Sequence, residues 1–213
     1  MEAAVVSAVD ARKEILARID AALAGSTSTQ RPADHTPIRP GDPDLLAARI
    51  EGYAAVVTRI ASEAEISARA GSVLARHGAG RVVVPAGLPP AWVPSGVDAI
   101  IDRGTLATAE LAGIEAAFTG SVMAIAETGT IVLDAGPEQG RRALTLLPDL
   151  HLCVVRAATI VADVRDAIDA IGALGAARRP ITFISGPSAT SDIELERVEG
   201  VHGPRRLEVL LIG

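Results

Sequence analysis

Apolar positions recur at helical spacing over residues 1–24. Val5, Val9, Leu16, Ile19 and Leu23 fall broadly on one side, and Asp10, Arg12, Lys13, Arg18 and Asp20 lie largely elsewhere. That pattern predicts an amphipathic helix with Gly25 as its stop. Periodicity then vanishes over residues 25–43, GSTSTQRPADHTPIRPGDP, which read as a flexible linker. A helix of this length is marginal alone in water, so it is expected to dock, on a partner or on a second copy of the chain.

From Asp44 onward the pattern alternates between short apolar runs and helical periods. Asp44 is an N-cap for a helix over 45–53, and residues 55–60 form a β-like run. Ser62 with Glu65 reads as a capping box for a helix ending near Arg76. Val82, Val83 and Val84 are a strand covered on both faces. Residues 85–97 hold a loop or short docked helix around Trp92, and 99–101 a strand. A helix over 106–113 and a strand over 114–119 follow, then one or two helical turns over 120–126 and a strand over 131–133. Arg141 and Arg142 sit on a short helix. Residues 150–155 are a strand, 163–174 an amphipathic helix, 181–184 and 207–212 the last strands. The chain therefore predicts an α/β domain over 44–213, with a mostly parallel sheet and helices on both faces, preceded by an arm over 1–43.

Composition narrows what such a domain does. Of 213 residues, 49% are apolar but only 2% aromatic, so the core is aliphatic. With a formal charge of −6 and Tyr53, Trp92, Phe118 and Phe183 as the only aromatics, nucleic-acid binding is not expected. Lys13 is the only lysine, which leaves no lysine for Schiff-base or phosphate-loop chemistry in the domain. Cys153 is the only cysteine and sits in an apolar run, so it reads as a buried thiol, unable to form an internal disulfide or ligate a cluster. No apolar run approaches a membrane span, and the N-terminus lacks a signal-peptide core, so a soluble, cytoplasmic protein is expected.

Three polar constellations interrupt the scaffold. In Ser185-Gly186-Pro187-Ser188-Ala189-Thr190-Ser191-Asp192-Ile193-Glu194, a strand ends in a tight turn followed by the hydroxyls of Ser188, Thr190 and Ser191. If a helix runs from Asp192 to Val198, its N-terminus would favour an anion there; ordinary capping is the alternative. In Glu127-Thr128-Gly129-Thr130, the acid is a candidate general base or nucleophile beside two hydroxyls. The alternative is a tight turn needing Gly129 for a positive φ. In Gly200-Val201-His202-Gly203-Pro204, His202 is a candidate proton shuttle or hydrogen-bond donor, or else a structural imidazole. The four histidines, His35, His77, His151 and His202, show no ligand spacing, so no metal is expected. No dinucleotide fingerprint, phosphate loop or nucleophile elbow is present, and no cofactor is assigned.

These motifs, in this order, with Ile131, Val132 and Leu133 after the first, resemble the lactate utilisation (LUD) domain family, and within it the C-protein group, over residues 44–213. Ser191 stands where the family usually has Ala. The resemblance implies a fold like the ribose-phosphate isomerase, glucosamine-phosphate deaminase and CoA-transferase group. It also implies a non-cluster component of a system oxidising L-lactate to pyruvate, with iron–sulfur proteins as partners. Glu127, Thr128, Gly129, Thr130, Gly186, Pro187, Ser188, Thr190, Asp192, Glu194 and His202 become candidate site positions for a small anionic metabolite. A stand-alone transferase or isomerase using Glu127 is the rival reading. Pure assembly, as a homo-oligomer through the N-terminal helix, is a third.

Overall fold

The β7 strand (Leu150–Arg156) is buried on both faces, and the domain is layered around it. The computed structural model describes residues 8–24, 37–174, 179–191, 197–199 and 202–213. The chain divides into two units, Met1–Pro37 and Ile38–Gly213. The first contains helix α1 (Ala8–Leu23), in which Arg18 pairs with Glu14 one turn back at 2.5 Å. The expected stop at Gly25 and most of the linker lie outside the described residues.

In the second unit, residues 38–42 are already part of the packed structure. Pro40 bridges Val161, the Gly41 N–H donates to Ile160 O at 2.9 Å, and Arg39 pairs with Asp163 and Asp166. Helix α2 (Pro43–Glu51) starts earlier than expected. Its cap is Asp42, whose carboxylate accepts the Asp44 N–H at 2.8 Å, because Pro43 brings no N–H and is preformed for the first helical position. The Ser62 capping box is also displaced. Glu65 does reach back, but it accepts the Ala61 N–H at 3.0 Å, and a 3₁₀ turn (Glu63–Glu65) precedes α3 (Ile66–Arg76).

Six strands form one all-parallel sheet: β1 (Val56–Ile60), β2 (Arg81–Pro85), β3 (Asp98–Asp102), β4 (Ala116–Thr119), β7 and β12 (Arg206–Ile212), in the order β1-β12-β7-β4-β2-β3. Alternation along β7 divides the core. Leu150, Leu152 and Val154 face α3, Trp92 and Phe118, whereas Cys153 and Val155 face α2 and a second sheet. Helix α4 (Thr108–Ala112) packs Leu111 against Val83 and Ala117. The expected mostly parallel sheet with helices on both faces is thus present.

The second sheet was not anticipated. It has four strands ordered β8-β5-β6-β9, comprising β5 (Met123–Ile125), β6 (Thr130–Leu133), β8 (Ile160–Val161) and β9 (Thr182–Ile184). The helical turns expected over residues 120–126 are in fact β5, paired antiparallel with β6. Ala124 faces the central core, and Met123 and Ile125 face α5 (Val164–Ala173). With both faces buried, β5 lacks the polar alternation that marks a strand. A further hairpin pairs β10 (Ala189–Ser191) with β11 (Arg197–Glu199) antiparallel. Of the conditional helix from Asp192 to Val198, residues 192–196 lie outside the described residues, and Arg197 and Val198 are on β11. No helix of the described residues is long and apolar enough to cross a membrane.

Candidate functional site

Where β7 and β12 begin, the chain leaves a cavity of about 450 Å³, open to solvent. Small-molecule sites fall in the range of roughly 300–1,000 Å³. Its polar wall is formed by Arg142, Thr145, His151, Thr182, Ser185, Ser188 and His202, with Tyr53, Phe183 and Leu207 among the apolar ones. Four of the sequence candidates, Gly186, Pro187, Ser188 and His202, line it together. Two hydrogen bonds join their loops. The Ser188 N–H donates to Pro204 O at 2.8 Å, and the His202 N–H donates to Ser188 Oγ at 3.2 Å. Gly186 has φ +139°, and a Cβ there would stand 2.7 Å from Tyr53 Cβ, so only glycine lets the turn close on the Tyr53 wall.

The residues 127–130 turn does not line the cavity but is wired to it. The Thr128 and Thr130 hydroxyls lie 2.7 Å apart, and Thr130 Oγ1 lies 2.8 Å from Ser185 Oγ in the cavity wall. The strand pairing that places them is β6 against β9, with Ile131 opposite Ile184. Gly129 turns the chain at φ +63°, and a Cβ on it would come within 2.9 Å of α2 backbone at Ile50 N. Tight-turn geometry therefore accounts for Gly129. Glu127 is exposed and its N–H donates to Ala162 O at 3.1 Å. Thr190 is placed on β10 by its backbone, and Asp192 and Glu194 lie outside the described residues.

Two lining residues carry chemistry that the motifs did not mark. Arg142 makes no ion pair among the described residues, whereas its neighbour Arg141 is clamped to Asp102 at 2.7 Å. Sequence gives a hint only in the adjacent arginines after Gly140. His151 on β7 is 1% exposed, and its Nε2 lies 2.8 Å from Thr119 Oγ1. Burial pushes its pKa down to about 4, so the ring is neutral at physiological pH. Beside it, burial pushes the Cys153 thiol up to about 12, which keeps it protonated and inert. Among the described residues no group of three or more His, Cys, Asp or Glu side chains is placed to hold a metal. A neutral imidazole, a guanidinium without an ion pair among the described residues and several hydroxyls suit a small anion with a hydrogen-bonding substituent.

Residues 97–212, which include most of the cavity wall, match the LUD domain. The chain belongs to the LUD domain family. A relative named lactate utilization protein C, from Deinococcus radiodurans, is 45% identical over 210 residues, which are 97% of this chain and 98% of the relative. A protein of the same name from Geobacillus kaustophilus is 30% identical over 173 residues, 71% of this chain and 70% of its own. A crystal structure of a DUF162 family protein from Deinococcus radiodurans superposes with a TM-score of 0.68 at 40% identity, over 80% of this chain and 95% of that one. The LUD match spans both signature turns, and they meet through the Thr130–Ser185 contact.

Proposed function

We propose that this LUD protein serves lactate utilisation by binding a small monocarboxylate in the cavity at the amino ends of β7 and β12. The observation that carries the reading is the Arg142 guanidinium, without an ion pair among the described residues, sharing a cavity wall with His202, Ser185 and Thr182. A carboxylate would pair with Arg142, and the hydroxyls and imidazoles would orient the rest of the molecule. The names of the relatives supply the class of metabolite. Electron transfer in this reading belongs to iron–sulfur partner proteins, since Cys153, the only cysteine, is buried and protonated. The N-terminal unit is read as the docking arm for those partners or for a second copy.

Isothermal titration of the purified protein with L-lactate, pyruvate and propionate tests the proposal. Saturable binding of at least one, competed by the others, is expected. No heat and no thermal shift with any of the three overturns it. Removing residues 1–37 is expected to lower the mass seen by light scattering, alone or with partners, without changing carboxylate binding.

A further inference from the structure

The cavity has a buried end, and its chemistry is directional. His151 enters from β7 with Nε2 against Thr119 Oγ1 at 2.8 Å. Thr119 Oγ1 donates in turn to Cys153 Sγ at 3.8 Å, and the thiol donates to Gly120 O at 3.6 Å. The thiol donates to carbonyls, Gly120 O or Val154 O, which only accept; with the Thr119 O–H on Cys153 Sγ, its single proton is used and Thr119 Oγ1 accepts from His151 Nε2–H. That direction places the ring proton on Nε2 and leaves Nδ1 as a bare acceptor.

Nδ1 has no partner among the described residues. The only wholly buried side-chain N or O atom left unpaired there is Gln139 Oε1, so Nδ1 is not sealed in the core. His151 lines the cavity.

We propose that His151 Nδ1 is a fixed hydrogen-bond acceptor that makes this site choose 2-hydroxy acids over 2-oxo acids and unsubstituted acids. This rests on the reading of the cavity as a carboxylate site. With the carboxylate toward Arg142, a 2-hydroxyl donates to Nδ1. A 2-oxo group turns a second acceptor toward the same lone pair, and an unsubstituted acid leaves it unmet. The neutrality of the buried ring supports the assignment, because an imidazolium would present a donor at Nδ1 instead. Thr119 is a positioning residue: it does not line the cavity and acts by holding the tautomer.

Titration calorimetry with L-lactate, pyruvate and propionate on the full chain tests the idea. The unmodified protein is expected to bind L-lactate on the order of tenfold more tightly than either other acid, the factor one neutral hydrogen bond gives. His151→Phe is expected to bring the three affinities together while propionate binding stays. Thr119→Val, nearly isosteric, removes the acceptor for Nε2–H, and the proton moves to Nδ1. The ¹⁵N shifts of His151 then report the changed tautomer, and the preference moves toward pyruvate. Should His151→Phe fail to fold, the Thr119→Val result decides. Equal affinity for all three acids in the unmodified protein, or a Thr119→Val preference still favouring lactate, overturns the role of His151 and leaves the carboxylate site standing. No binding of propionate or of either other acid overturns both.

Discussion

The two edges of the six-stranded sheet are built from similar residue types and do opposite things with them. At the carboxyl edge, the charged groups are paired. Arg156 reaches Glu63 at 2.7 Å and Glu138 at 3.1 Å, with its guanidinium 4.8 Å from the Trp92 ring centroid. Asp102 holds Arg141, and the Gly120 and Gly87 N–H groups donate to Glu138 O and Pro137 O, closing the edge with the loop before β7. At the amino edge, on the face toward the second sheet, the Arg142 guanidinium and His151 Nδ1 have no partner among the described residues. On the opposite face even that edge is closed, since buried Glu208 takes Arg76 at 2.9 Å and His77 at 2.6 Å. Open α/β sheets usually bind ligands at carboxyl ends of strands. A group already paired must give up its partner to meet a ligand, whereas an unpaired group in a cavity gains one. Pairing state, more than strand direction, is what singles out the proposed site.

Acid should bear hardest on the amino edge. Unfolded, His151 titrates near 6.5, and folded near 4. Between those values the unfolded chain binds more protons, so stability is fully present above 6.5 and falls as pH drops, with the loss complete below about 4. The total is about 3 kcal/mol. Urea denaturation at pH 7, 6 and 5 measures the slope. His151→Gln, which does not titrate, is expected to be flatter over that window. Equal slopes in the two proteins would mean that the imidazole is solvated and the cavity floor is misassigned.

Next in size is the carboxyl edge. Arg156→Met removes a part-buried ion pair to Glu138, an exposed one to Glu63 and the contact over Trp92, and should lower stability by about 2 kcal/mol. Carboxylate affinity should not change. Arg142→Met is the mirror image: about a tenfold loss of affinity, roughly 1.4 kcal/mol, with the melting temperature held. If Arg156→Met weakens binding and Arg142→Met does not, the ligand sits at the conventional edge and the comparison is inverted.

Much of the parallel sheet was legible because its strands are continuous apolar runs, as in Val82–Val84 inside β2 and 150–155 inside β7. The hairpin β5–β6 was not, because burial on both faces removed the alternation from Met123, Ala124 and Ile125. Helix starts shifted where proline or a backbone donor chose another partner, as at Asp42 and Ala61. The site was legible in part for a similar reason. Gly186, Ser188 and His202 sit in turns, where glycine and proline leave a local signature. Arg142 stands in a polar segment where nothing local distinguishes it from Arg141, whose partner Asp102 lies on a different strand. His151 hides in an apolar run, and its proposed role depends on Thr119 across the sheet, where Ala117 of β4 pairs with His151 in register. Such a partner is set by strand order, which the motifs do not encode.

The smallest effects test the turn that joins the edges to the site. Thr130→Val keeps shape on a side chain 5% exposed but cuts the hydroxyl chain from Thr128 to Ser185. Freed from Thr130, Ser185 loses its fixed orientation in the wall, and carboxylate affinity should fall about threefold. Glu127→Gln, at an exposed residue that does not line the cavity, should leave affinity within calorimetric error. The pair separates two explanations of one motif. If Thr130→Val acts and Glu127→Gln is silent, the residues 127–130 turn works by bracing Ser185. If Glu127→Gln abolishes binding or any turnover while the fold persists, the carboxylate itself is the reactive group, and the site extends past the cavity to the exposed side of the turn.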